Sequence, residues 1–365
     1  MSSARTAQPE AAGASSIRAA TQWLQRRIVL RRRMTKLALL LLILAGVWAG
    51  VSGVLGVLVL IVGAFALTVV LYPFLVGDLE VTPLSDHLRA QWPDELFVRL
   101  SQGVTHYQLA GPENGPRVVL VVGFASPYFI WDHQFQALAS AGFRVLRYDN
   151  FGRGLSDRPN VVYNDDLFDT QLLELLDALH WNGPVDLVGL SMGGATVARF
   201  VDRHPERARR YVMIAPAGLP QRLRPRQHLL RIPGVGEWLM KIFGDENILQ
   251  ALPAEVGNDA EKVRRAIDEY LNQMQYQGYK RALLSTWRHN PLAVLLPVFE
   301  RLGSQPRLGL LLWGTKDTIV PFEQHVRLQA AIPAIRFHAI EGGTHPVNYH
   351  MPEAVNPILI DFLSR

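Results

Sequence analysis

A serine, an aspartate and a histidine are the residues of this 365-residue chain whose types and order could carry out covalent chemistry. Ser191 lies in Gly-Leu-Ser-Met-Gly, Asp317 lies in "LLLWGTKDTIVP", and His345 lies in "IEGGTHPVNYH". A serine hydroxyl becomes a nucleophile when a nearby base accepts its proton, and the base works when an acid fixes its tautomer. The three residues therefore predict attack on an ester carbonyl by Ser191, with His345 as the base and Asp317 as the acid.

The five-residue pattern around Ser191 is typical of a sharp turn between a strand and a helix. Gly189 and Gly193 leave room for a serine that is held in a strained backbone conformation. Short glycine and serine patterns also recur by chance in ordinary turns. Here an apolar, strand-like run at 185–188 precedes the pattern, and a helix-like run at 195–203 follows it. This context favours a nucleophile over a glycine-rich turn.

Asp317 and His345 each follow an apolar, strand-like run. They are therefore expected in loops at the carboxyl edge of a parallel sheet, the same edge as Ser191. An aspartate after a strand often serves only to form a turn or to cap a helix, and that alternative stays open for Asp317. His350 is the rival base, but it would fall at or inside a closing helix.

The negative charge that develops on the attacked carbonyl oxygen needs preorganised N–H donors. One donor is expected to be the backbone amide of Met192, at the start of the helix after Ser191. The second is expected from the loop after the run at 118–122, where Phe124 is the natural donor. The Phe124 side chain would then line the acyl pocket.

Strand-like and helix-like segments alternate along most of the chain after residue 94. The strand-like runs are 96–100, 104–110, 118–122, 145–148, 185–188, 211–214, 308–312 and 335–339. The helix-like runs are 135–141, 166–179, 195–203, 322–331 and 352–363. Such alternation predicts an α/β fold in which helices cover both faces of a mostly parallel sheet. Residues 219–306 contain helical patterns without a convincing strand, which predicts a helical cap over the carboxyl edge.

Five stretches resemble the α/β-hydrolase fold: "VVLVVGFAS", "YDNFGRGLSDRP", "DLVGLSMGGA", "LLLWGTKDTIVP" and "GTHPVNYHMPEAVNPILIDFL". The resemblance covers about residues 94–365, with a core at 94–218 and 307–365 and a cap at 219–306. It implies Ser191, Asp317 and His345 as a catalytic triad, and Phe124 and Met192 as the oxyanion donors. It also implies that the segment matching Asp149–Ser156 supports the serine turn.

Val122 departs from the family pattern. Many relatives have a histidine before the glycine that corresponds to Gly123, and that histidine usually orders the oxyanion loop. A valine cannot supply the same hydrogen bonds. We expect the missing histidine to affect the rigidity of the oxyanion loop and the class of substrate, and to leave the triad chemistry intact.

The N-terminal quarter is unlike the rest of the chain. Residues 37–77 contain no charged residue, and as one helix they would be about twice as long as the hydrocarbon core of a bilayer is thick. They predict a transmembrane hairpin, with a single span as the alternative. The basic residues of the tail at 1–36 place the N-terminus in the cytoplasm, so a hairpin returns the catalytic part to the cytoplasmic side. The tail is expected to be disordered or to lie as a helix on anionic lipid, and residues 78–93 are interpreted as a linker.

Composition excludes several classes of function. The net charge is +5, but residues 1–36 carry eight basic residues and one acidic residue, so the remainder carries −2. A nucleic-acid-binding domain usually has a basic face of its own, so no nucleic-acid partner is expected. The absence of cysteine excludes disulfides and thiolate ligands. No metal-ligand spacing or nucleotide fingerprint is present, so neither a metal nor a cofactor is expected.

A serine at this turn favours transfer of an acyl group to water. Related enzymes use aspartate there for epoxide hydrolysis and dehalogenation. Perhydrolysis and carbon–carbon bond hydrolysis use the same triad and stay open, as does a non-catalytic scaffold of the same fold. The predicted membrane segment and the apolar residues of the cap favour a small or lipid-like ester, such as a monoacylglycerol, as the substrate. Packing of the cap onto the core is the other reading of those apolar residues.

Overall fold

The computed structural model describes residues 53, 56, 58, 61–64, 78–220, 225–257, 259–290 and 294–365. The predicted tail at 1–36 and most of the predicted membrane segment at 37–77 lie outside the described residues. None of the helices in the described part combines the length and the apolar character that a bilayer crossing requires.

Eight strands form one sheet. The strands are β1 (Leu96–Leu100), β2 (Gly103–Ala110), β3 (Arg117–Val121), β4 (Arg144–Tyr148), β5 (Val185–Leu190), β6 (Ala208–Ile214), β7 (Gly309–Gly314) and β8 (Arg336–Ile340). Their order in the sheet is β1-β2-β4-β3-β5-β6-β7-β8. β1 and β2 form an antiparallel hairpin, β2 pairs antiparallel with β4, and all other neighbours are parallel. The prediction of a mostly parallel sheet is therefore confirmed.

Helices follow most of the parallel strands. They are α1 (Asp86–Arg89), α2 (Asp132–Ser140), α3 (Asp165–Ala178), α4 (Met192–Arg203), α5 (Pro225–Leu229), α6 (Val235–Leu239), α7 (Asp245–Val256), α8 (Ala260–Met274), α9 (Tyr279–His289), α10 (Leu296–Gly303), α11 (Gln324–Ala331), α12 (Val347–His350) and α13 (Pro352–Ser364). Short 3₁₀ turns lie at Tyr128–Trp131 and Pro205–Arg207, and a π turn lies at Met240–Gly244.

Alternate residues of β3 show how the sheet is covered. Val118 and Leu120 belong to an apolar cluster that also contains Leu138 of α2 and Leu359 of α13. Val119, one residue on, faces a second cluster that contains residues of α3 and α4. Both faces are therefore buried, which explains why the central strands are apolar at almost every position.

Three element starts, those of α2, α4 and β6, differ by three residues from the sequence prediction. β6 begins at Ala208, three residues before the predicted run, because Arg209 continues the strand and donates from Nε to Asp186 of β5 at 2.9 Å. α4 begins at Met192, because the glycines after it continue the helix although their intrinsic helix propensity is low.

The segment predicted as a linker, 78–93, contacts the helices between β6 and β7. Lys280 Nζ of α9 lies 2.6 Å from Asp78 Oδ1. The Thr82 amide donates to the carbonyl of Gln275 at 3.0 Å, and Leu79 is buried. The prolines of the segment led to its interpretation as a linker, but these contacts tie its first residues to the α8–α9 junction.

Candidate active site

Ser191 lies at the turn between β5 and α4, at the carboxyl edge of the sheet. Its backbone has φ 56° and ψ −119°, a region that residues with a Cβ rarely occupy. A Cβ at Gly189 would lie 2.2 Å from the carbonyl oxygen of Gly193, and a Cβ at Gly193 would lie 2.2 Å from that of Val121. The Ser191 hydroxyl does not cap α4. A strained serine between closely packed glycines is the geometry expected of a nucleophile turn.

Asp317 and His345 meet in the loops after β7 and β8. His345 Nδ1 lies 2.7 Å from Asp317 Oδ2. The other carboxylate oxygen accepts the amides of Ile319 at 2.8 Å and Val320 at 2.9 Å. Asp317 therefore forms a turn, as the alternative interpretation stated, and also contacts the imidazole that it would orient.

His350 lies on α12 and has other partners. Its Nδ1 accepts the amide of Thr344 at 3.3 Å and lies 3.1 Å from the Thr344 hydroxyl. Burial and the nearby Lys262 ammonium lower the pKa of His350. Of the two histidines, His345 is thus the one that the fold places on Asp317.

Several of the predicted site residues line one cavity of about 270 Å³. Ser191, His345 and Phe124 all contribute to its wall. The other side of the cavity is formed by the helices between β6 and β7, through Ile248, Ala251, Leu252, Val256 and Tyr270, among others. The cavity is therefore mainly apolar and enclosed between the sheet edge and these helices.

The apolar residues of the interval between β6 and β7 divide into two groups. Ile242 is buried, and Trp238 and Phe243 pack against it. Leu229 and Ile232 are 42% and 46% exposed. The first group therefore forms a small cluster of its own, separate from the core clusters that cover the sheet, whereas the second group is exposed.

The amides of Phe124 and Met192 are available as donors. Within the described part of the chain, neither N–H donates to a protein acceptor. Met192 is the first residue of α4, where the helix dipole favours negative charge. Val122 is fully buried in the apolar cluster, so it makes no polar contact with the loop that carries Phe124.

Side chains that the sequence analysis did not single out hold this loop, which we call the oxyanion loop (residues 123–126). Arg153 Nε donates to the carbonyl of Phe124 at 2.7 Å, and Gln273 Nε2 donates to that of Ala125 at 2.8 Å. The hydroxyls of Ser126 and Tyr270 lie 3.1 Å apart. Arg153 belongs to the stretch "YDNFGRGLSDRP", which was the available signal in the sequence, whereas nothing in the sequence marks Gln273.

Asp149 joins three parts of the chain near this loop. Its carboxylate accepts the amides of Tyr128 at 2.8 Å and Leu155 at 3.0 Å, and it lies 2.7 Å from His106 Nδ1. Burial alone would lower the pKa of His106, but hydrogen bonds to Asp149 and Glu95 outweigh it and raise that pKa to about 9. The imidazolium of His106 therefore pairs with two carboxylates at neutral pH.

The described residues contain no group of three or more histidine, aspartate and glutamate side chains arranged as metal ligands.

Comparisons with known proteins agree with this architecture. The model of the alpha/beta hydrolase family matches residues 118–358, about two thirds of the chain. A putative non-heme chloroperoxidase of Synechocystis is 27% identical over 266 residues, which cover 68% of this chain and 91% of that protein. A 2-hydroxy-6-oxo-6-phenylhexa-2,4-dienoate hydrolase of Comamonas testosteroni is 27% identical, over 73% of this chain and 93% of that protein. The crystal structure of an enol-lactonase from Burkholderia xenovorans aligns with a TM-score of 0.62 and 25% identity, over 74% of this chain and 100% of that one.

Proposed function

Because the chain belongs to the alpha/beta hydrolase family, we propose that it is a serine hydrolase that cleaves carboxylic esters. In this proposal Ser191 is the nucleophile, His345 the general base and Asp317 the acid that orients it. The observation that carries the proposal is the 2.7 Å contact between His345 and Asp317, with His345 and Ser191 facing the same cavity.

The reaction would proceed through an acyl-enzyme. Ser191 Oγ attacks the ester carbonyl carbon while its proton passes to His345 Nε2, and the amides of Phe124 and Met192 stabilise the oxyanion. The imidazolium then protonates the leaving alkoxide. A water molecule, deprotonated by His345, releases the acid and restores Ser191. Asp317 stays ionised throughout and holds the Nδ1–H of His345.

The cavity wall supports an apolar acyl group as the substrate moiety. We expect kcat/KM for p-nitrophenyl esters to rise about 10- to 100-fold from acetate to hexanoate, because each buried methylene contributes up to about 0.8 kcal/mol. A steady-state comparison that also includes a monoacylglycerol measures this. Leu252→Asn should flatten the chain-length dependence, and Val326→Asn, at an exposed position on α11, should not.

The two relatives define the competing outcomes of the same assay. The ester assignment would be refuted if the wild-type enzyme cleaved a 2-hydroxy-6-oxo-dienoate, or carried out perhydrolysis, faster than it cleaves any ester. That result would leave the triad in place, because these reactions use the same residues.

We also propose that residues 37–77 anchor the enzyme in a membrane as a helical hairpin, with the catalytic part on the cytoplasmic side. The uncharged length of the segment and the basic residues before it support this topology. A C-terminal reporter that is active only in the cytoplasm should give a signal. A reporter signal from the opposite side of the membrane would indicate a single span instead.

A further inference from the structure

Arg153 is a fully buried arginine in the segment after β4. Among the ion pairs of the described residues, none joins Arg153 to a carboxylate. Its pKa is lowered to about 10 by burial, so the side chain remains cationic at neutral pH. A buried cation without a carboxylate is costly, since desolvation of an ion costs several kcal/mol.

The guanidinium instead binds neutral oxygens on three segments. Nε donates to the carbonyl of Phe124 at 2.7 Å, and Nη1 donates to that of Phe151 at 3.1 Å. Nη2 donates to Thr286 Oγ1 of α9 at 3.0 Å. The charge also lies 5.5 Å from the centre of the Phe124 ring, within cation–π range. Arg153 therefore joins the oxyanion loop to α9, one of the helices between β6 and β7.

Control of the Phe124 carbonyl also controls the Phe124 amide. The two groups flank the same Cα, so a carbonyl held by Arg153 limits the directions in which the N–H can point. It also opposes rotation of the Phe124–Ala125 peptide unit, which adjoins the unit that carries the donor N–H. A donor that is already oriented needs no reorganisation during the reaction.

Gln273 of α8 provides a second attachment. Its Nε2 donates to the carbonyl of Ala125 at 2.8 Å, and its Oε1 accepts the amide of Gly154 at 3.0 Å. The side chain is 1% exposed. Two successive carbonyls of the oxyanion loop, those of Phe124 and Ala125, thus accept hydrogen bonds from Arg153 and Gln273. Val122 contributes only apolar packing.

We propose that Arg153 is a positioning residue that, together with Thr286 and Gln273, holds the Phe124 amide in place for the oxyanion and couples the oxyanion loop to the helices between β6 and β7. The inference rests on the proposed hydrolase function. It predicts that loss of Arg153 acts on the transition state more than on substrate binding.

The test compares Arg153→Met, Thr286→Val and the matched control Arg158→Met in the full-length enzyme. Arg158 donates to the backbone carbonyls of Ser156, Gly154 and Gln273, and none of these hydrogen bonds goes to the oxyanion loop. Each variant is characterised by three measurements. These are kcat and KM for p-nitrophenyl butyrate, Ki for a trifluoromethyl ketone that forms a tetrahedral adduct, and the thermal unfolding midpoint.

Arg153→Met is expected to lower kcat about 100-fold, the lower end for loss of an oxyanion donor, with KM within about threefold of wild type. Ki for the ketone should weaken by a similar factor. Thr286→Val should shift kcat and Ki in the same direction by about 3- to 10-fold, as for loss of one hydrogen bond. Arg158→Met should leave kcat and Ki within about threefold of wild type, even if its unfolding midpoint falls as far as that of Arg153→Met.

Two results would overturn the inference. One is a folded Arg153→Met enzyme whose kcat and Ki equal those of Arg158→Met. The other, which decides the matter if Arg153→Met does not fold, is a Thr286→Val enzyme with unchanged kcat and Ki. A wild-type enzyme that hydrolyses no ester would instead refute the proposed function, and this inference with it.

Discussion

Replacing Ser191 with alanine is expected to lower kcat for ester hydrolysis by about 10⁴- to 10⁶-fold, as in other enzymes that lose a triad nucleophile. The variant lacks the oxygen that forms the acyl-enzyme, while its Cβ and therefore its packing at the turn are retained. Covalent labelling by a fluorophosphonate probe should disappear together with turnover. The thermal unfolding midpoint should change little, because the Ser191 hydroxyl does not cap α4.

The matched control for Ser191→Ala is Ser304→Ala, at the end of α10 and outside the cavity. The control should retain both turnover and labelling. Persistent labelling of Ser191→Ala would assign the nucleophile to another residue. A folded wild-type protein without labelling or turnover would support the non-catalytic scaffold that the sequence left open.

His345→Ala is expected to lower kcat by about 10⁴-fold or more, because a serine hydroxyl without its base is a weak nucleophile at neutral pH. Steady-state hydrolysis of p-nitrophenyl butyrate measures the loss. His350→Ala should cost less than about tenfold, since its ring contacts Thr344 and loss of one hydrogen bond changes the position of the neighbouring loop only modestly.

The pair His345→Ala and His350→Ala is informative because the two histidines lie only five positions apart in the sequence. If His350→Ala abolishes turnover and His345→Ala does not, the base has been misassigned. Equal losses in both variants, accompanied by equal losses of stability, would indicate damage to the loop instead of loss of a base.

The sheet was predictable because its central strands are buried on both faces. β5 and β7 are buried at every position, and their sequences are apolar except for Asp186 in β5. The start of β6 was not predictable in this way. Arg209 interrupts the apolar pattern, and only its pairing with Asp186 on the adjacent strand places it within the sheet.

The candidate triad was also predictable, because the order of Ser191, Asp317 and His345 along a chain of alternating strands and helices places all three at one sheet edge. Local sequence even limited the choice between His345 and His350. What the sequence did not show was that Asp317 uses one oxygen for its own turn and the other for His345. That division depends on how the loops after β7 and β8 pack together.

By itself, then, the sequence determined the type of fold, the nucleophile turn and the identity of the residues proposed for catalysis, because each depends on local pattern or on chain order. Only the tertiary structure decided how the oxyanion loop is held. Arg153 lies 29 positions from Phe124, and Gln273 lies 148 positions from Ala125. Such contacts have no local signature, since they arise when the helices between β6 and β7 close over the sheet edge and bury polar groups that must find partners there.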